Sequence, residues 1–375
     1  MRALVIAAVL AGCGFSPPAM MTAGDASAMP GSDAGSDAGS GACVTATEQF
    51  DTCRLGSASD LTVTKKSTYN SDTGVLAING SATVVPVNHE VVTTPTGAVD
   101  VLVTSTFDVE ATLTVTGAMP VAIYAATGVT INDEIVVTAG ARIACTNGPV
   151  VGSASSSGAG GGGGGAFAGS GGPGMAGGSA LAGNGGDSMV RPTGLVGGCP
   201  GAQGGTGGSI TLGGIGGAGG GALLVVTPHA ISIKSNSGID AGGNGGGGAV
   251  GNQAGGGGGG AGGMIVLEAD TIANMGFVTA NGGGGGEGAG TASNDSGDDG
   301  SPGTTSTTQA KGGSGGTSEG GNGGSGGAGS MLAGDAPTDT TSSGGGGGGG
   351  GAGYVGFKGA LTVAGTFSPA ATPWP

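Results

Sequence analysis

The chain has 375 residues, 98 of them Gly, with 24 acidic, nine basic and eleven aromatic side chains. Fifteen glycines fall in residues 1–150 and 83 in the last 225, without a strict G-X-Y period and with only 16 Pro, which excludes collagen. Few charges (9%) and a positive mean hydropathy exclude an ordinary charged disordered chain, a net charge of −15 excludes nucleic-acid binding by a basic surface, and no apolar run reaches the ~18 residues of a membrane-spanning helix.

Met1 and Arg2 precede nine apolar residues, Ala3 to Ala11, and then Gly12 and Cys13. One positive charge, a short apolar core and small residues at its end are the parts of an export signal. The final four residues, LAGC, resemble the lipobox of bacterial lipoproteins. That resemblance implies loss of residues 1–12 and acylation of Cys13. Gly14, in place of an acidic residue, resembles proteins sent on to the outer membrane or cell surface. The twelve residues before Cys13 are a short signal for that family, and a plain secretory signal is the competing reading.

Residues 13–41, with the near-repeat GSDAGSDAGSGA, hold almost nothing able to build a core and read as a flexible tether. Its reach is roughly 30 Å, at 5–6 Å times the square root of its length. Export places the remaining cysteines, Cys43, Cys53, Cys145 and Cys199, in an oxidising compartment, where disulfides are expected. We expect Cys43 with Cys53, closing a short loop, and Cys145 with Cys199, bracketing a glycine-rich stretch. Zinc is the minor reading, because no CxxC is present.

Residues 42–98 are expected to form an N-terminal β cap, and residues 99–375 the main domain. From about residue 60 to 140 the chain is rich in Val, Thr, Ile and Ala, with alternation such as TLTVTG at Thr112 to Gly117. The segments beginning at Val121, Ala222, Met264 and Tyr354 share one frame, and Val101 begins another of the kind. Each has an apolar strand, a turn, a second strand, a turn and a short third piece near an Ala. About twenty residues with three short strands is one coil of a parallel β-helix, so the expected fold is all-β: a solenoid of about five coils. An inward row such as Leu224, Ile231, Ile233 and Ile239 would build its core. A β-sandwich with long loops is the alternative.

Glycine-rich insertions at 141–221, 244–262 and 283–352 leave this frame after the same third-strand motif: VTAG, IDAGG and VTANG. They are therefore expected to depart from one edge and lie together. Many read as GGX triplets, the three-residue repeat of polyproline II, and helices without Cβ atoms can pack closely and pair their backbones as polyglycine II. Flexible coil is the alternative, favoured in 287–311 by Ser, Asn and Asp.

Residues ~99–373, above all Ala222 to Gly248 and Gly262 to Gly286, resemble a type of glycine-rich exported protein frequent in myxobacteria and related bacteria. That resemblance implies a fold and an address but no mechanism. The glycine-rich surface proteins of mycobacteria share only the GGX composition.

The sequence offers no catalytic constellation. His89 and His229 are far apart in sequence, and GxSxG, HExxH and Walker motifs are absent. Eight basic residues follow Arg2, none in register with a carboxylate cluster as a β-helix lyase would need. Asn294, Asp295, Asp298 and Asp299 offer oxygens for Ca²⁺ but lack EF-hand spacing, so a solvated acidic loop is expected. No cofactor, metal or catalytic residue is assigned. The expected role is a lipid-anchored structural or adhesive surface protein, its partner the membrane through the N-terminal lipid. A polysaccharide- or cell-binding module is the alternative, and a polysaccharide-active β-helix enzyme the third reading.

Overall fold

The computed structural model describes residues 45–46, 50–52, 55, 59–79, 81, 84–138, 140, 145, 147–208, 212–292, 295–315, 320–339 and 343–374. Cys13, the tether, Cys43 and Cys53 lie outside them.

The described chain is all-β. β1 (Thr45–Ala46) pairs antiparallel with β2 (Phe50–Asp51). Next come β3 (Leu61–Val63), β4 (Ser67–Asn70), β5 (Val75–Ile78), β6 (Val84–Pro86) and β7 (His89–Thr94). The repeating segments supply β8 (Gly97–Val109) with β9 (Leu113–Thr116), and β10 (Val121–Ile131) with β11 (Glu134–Val137). After the first insertion follow β12 (Ala222–Val226), β13 (Ala230–Ile233) and β14 (Gly238–Asp240), then β15 (Met264–Asn274) with β16 (Phe277–Thr279). The chain closes with β17 (Tyr354–Val363), β18 (Thr366–Ser368) and β19 (Thr372–Pro373).

Two sheets result. The first runs β19-β17-β15-β12-β10-β8-β3, parallel throughout, with β7 antiparallel on β8. β12 and β13 each pair with β10 on one side and β15 on the other, a four-strand ring of pairings around the break at Thr227 to His229. The second runs β18-β16-β14-β11-β9-β4 in parallel and ends in the antiparallel pairs β4-β5-β6. Ala222, Met264 and Tyr354 stand directly beside one another, whereas Val121 lies opposite Leu223.

In-register parallel pairing turns each inward position into a column. Leu102, Ile123, Val225, Leu267 and Phe357 form one; Phe107, Val129, Ile231, Ile272 and Leu361 form the next. Leu113, Ile135, Ile239, Val278 and Phe367 complete it from the second sheet. These side chains form one cluster, in which each buried aliphatic contributes roughly 1.5–3 kcal/mol. Leu224 does not belong to it. It points to the opposite face and packs with Val101, Ala122, Val266, Phe167, Leu195 and Val196, while Leu223 and Val225 point inward. The first insertion covers that outer face, so β12 is buried on both sides and its apolar run carries no parity.

The glycine insertions are bonded to one another in a three-residue step. Gly162, Gly163 and Gly164 donate to Gly256, Val150 and Gly172, and Gly165 returns to the first neighbour at Gly259. Likewise Gly256, Gly259 and Gly262 donate to Gly345, Gly348 and Gly351, and these three donate to Ala159, Gly162 and Gly165. One segment of each insertion thus joins a closed set of three parallel chains. Such density satisfies backbone groups that burial would otherwise leave unpaired. The returns are tied to the exits as well: Gly221 donates to Val137, Gly263 to Ala241 and Gly353 to Ala280.

The expectation of coil in 287–311 is corrected over 295–303. Gly297, Gly300 and Gly303 donate to Ala249, Gly246 and Gly243 at 2.8–2.9 Å. A glycine every third residue suffices to bring one side of the segment against its neighbour. Asp298, Asp299, Ser301 and Pro302 take the remaining positions and stay exposed.

Asp240, on β14, carries a prediction. Thr279 Oγ1 donates to its Oδ1 at 2.6 Å, yet burial raises its pKa to about 6, with Glu134 adding repulsion. An acid with a raised folded pKa holds its proton more tightly when folded, so this stability is present below about pH 4 and lost as pH rises through about 6. Asp240→Asn should therefore raise stability at pH 7 by about 1–3 kcal/mol and leave it unchanged near pH 4. Melting curves of both proteins across this range test it; a constant difference would count against the assignment.

Candidate functional site

The column Val121, Leu223, Ile265 and Val355 begins, at its N-terminal end, with a carboxylate: Asp100, fully buried. Burial raises its pKa, against the pull of two hydrogen bonds. Tyr69 Oη donates to Oδ2 at 2.5 Å, and His89 Nδ1 lies 2.8 Å from Oδ1. Burial likewise raises the Tyr69 phenol. A His–Asp pair is also the orienting half of a catalytic triad. Here the other ring nitrogen, Nε2, lies against Gly74, where an added Cβ would come within 1.8 Å of it. The pair therefore satisfies a buried carboxylate where the antiparallel strands close the column.

His229 sits in the turn between β12 and β13, its carbonyl accepting from Thr271 N–H. Asp298 and Asp299 are exposed, and Asp299 Oδ1 accepts from Gly248 N–H at 2.7 Å. Asn294 lies outside the described residues. Among the described residues, no group of three or more His, Cys, Asp or Glu is placed to hold a metal ion. Cys145 and Cys199 are joined in a disulfide.

A concavity lies elsewhere, where the outer face of β17 meets both long insertions and the C-terminal segment. It is a cleft of about 650 Å³. Val190 and Arg191 come from the first insertion, Ser330 and Leu332 from the third, Tyr354 from the start of β17, and Ala370 from beyond β18. Phe167 meets the Tyr354 ring edge-on, centroids 4.9 Å apart, and the Tyr354 hydroxyl donates to the Met189 carbonyl. Burial raises the pKa of this phenol, with Arg191 opposing. Arg191 Nη1 donates to Pro373 O at 2.7 Å, and its guanidinium lies 5.3 Å from the centroid of the Trp374 ring.

Sequence reasoning assigned no role to Arg191, Tyr354 or Asp100. Asp100 sits inside VDVLV, a placement that only strand parity distinguishes from an exposed one. Arg191 had no local signal at all. Compared with known protein families, curated proteins and solved structures, the chain matches none.

Proposed function

We propose that the protein is a lipid-anchored structural or adhesive element of the cell surface, without catalytic activity. In this reading the two parallel sheets are the flanks of a short β-helix of about five coils. The three insertions leave it from one edge and pack as polyglycine II. The observation that carries the proposal is the three-residue step by which segments 158–165, 255–263 and 344–353 bond one another. A body cross-tied in that way resists bending without a thick aliphatic core, which suits a scaffold held in the medium. Its LAGC signal and Gly/Ser/Asp/Ala tether supply attachment and stand-off.

Two measurements test this. The protein should fractionate with membranes through acyl chains on Cys13, and Cys13→Ala should release it; a variant still bound would remove the anchor. One chain gives only marginal binding, so stable attachment implies more than one acyl group. In hydrogen exchange, amides 158–165, 255–263 and 344–353 should be as protected as those of β12 and β15. Exchange at the rate of unstructured chain would defeat the scaffold reading.

A second reading, a binding module for polysaccharide or another cell, draws on the cleft beside Tyr354. A glycan array probed with the full chain tests it: binding to defined sugars favours the module, and none favours the scaffold.

A further inference from the structure

We propose that the cleft beside β17 binds a single-chain amphiphile with one anionic head group. Arg191 receives the head, and the aliphatic wall receives the chain. The inference rests on the geometry of the cleft and not on the surface-scaffold reading.

Charge supports it first. The chain carries a net charge of −15, yet among the described residues no carboxylate lines this cleft and Arg191 is the one charged residue that does. A cation exposed at the mouth of a hollow whose described lining holds no acid is a local reversal of the molecule's field, and such reversals attract anions. The guanidinium is also held in place. Its bond to Pro373 O and its position over Trp374 use part of its donor fork and leave further N–H groups facing solvent.

The walls then decide the rest of the ligand. Val190 is 91% exposed and Leu332 38%, and Ala168 and Ala370 extend the apolar lining. A sugar would need an open aromatic platform and free donors. Trp374 is only 6% exposed with its ring against Arg191, and the Tyr354 hydroxyl is engaged by Met189. Aliphatic walls with one cation at the rim match an alkyl chain ending in a carboxylate or phosphate. The volume lies within the usual range for small-molecule sites, about 300–1,000 Å³.

The test titrates the full chain with dodecanoate below its micellar concentration, followed by calorimetry and by the fluorescence of Trp374, the one tryptophan. Saturable binding is expected, weakening about threefold to fourfold for each methylene removed from the chain. Dodecanol, lacking the charge, and acetate, lacking the chain, should each bind at least about tenfold more weakly. Arg191→Gln should lose about tenfold for dodecanoate and leave dodecanol unchanged. Leu332→Asp should weaken both. Absence of saturable heat with dodecanoate overturns the proposal, as does equal affinity for dodecanol in the unmodified protein. That last comparison needs no variant, so it decides the matter even if Arg191→Gln disturbs the packing of Trp374.

Discussion

Gly258→Val is expected to unfold the glycine layer. A Cβ at this position would lie 2.0 Å from Gly163 O, 2.5 Å from Gly163 C and 2.9 Å from Gly164 N. All three are backbone atoms, so no rotamer change can make room, and separating the two chains would break the bonds that Gly162 donates to Gly256 and Gly165 to Gly259. Overpacking in ordinary cores costs about 1–3 kcal/mol; a clash against rigid backbone belongs at or beyond the top of that range. The contrasting site is Gly208, where an added Cβ meets nothing within 4 Å among the described residues. Gly208→Ala should stay within about 0.5 kcal/mol of the parent. Denaturant unfolding of both variants measures the difference. Equal stabilities would mean that the glycine segments do not pack in this way. Gly300→Val, with Gly284 O at 2.2 Å, should resemble Gly258→Val and not Gly208→Ala, because 295–303 belongs to the same network.

Loss of the Cys145–Cys199 bond is the second large effect expected. The two residues are 54 apart in sequence, and the stretch between them forms much of the layer over the outer face of β12. Cross-linking a loop of that length removes denatured-state entropy equivalent to about 4 kcal/mol. Cys199 also sits within the layer, donating to Ala166 and accepting from Ala261. The paired change Cys145→Ala with Cys199→Ala should therefore lower the melting temperature by several degrees or more, and reductant should lower that of the unmodified protein at least as far. A double variant as stable as its parent would mean that the covering layer is held by its glycine bonds alone.

How far these features were legible in the sequence depends on the range over which each is encoded. Strands, turns and the shared frame of β10, β12, β15 and β17 were readable, because alternation and punctuation act within a few residues. So were the three insertions and their common exit motifs. The inward parity of β12 was not, since ALLVV is apolar at every position and only the covering layer, Phe167, Leu195 and Val196, makes both faces dry. Asp100 was invisible as a core residue for a related reason. Its partners, Tyr69 and His89, reach it from 31 and 11 residues away, on strands whose pairing places them there.

The glycine layer divides in the same way. Triplet spacing is a local property, and GGX marked which segments could approach one another. The choice of neighbours was decided only in three dimensions, because glycines without side chains are interchangeable and carry no pairing code. That is why DSGDDGSPG (295–303), with a glycine at every third position, read as coil yet bonds to Gly243, Gly246 and Ala249. The cleft is the extreme case: Arg191 and Pro373 are 182 residues apart, and their meeting is a consequence of where two insertions and the chain end converge on β17. Sequence determined the strand frame and the chemistry of the insertions, since both rest on contacts a few residues long. The tertiary structure alone decided which faces are buried and where a cation meets an apolar wall, since those depend on layers that distant segments supply.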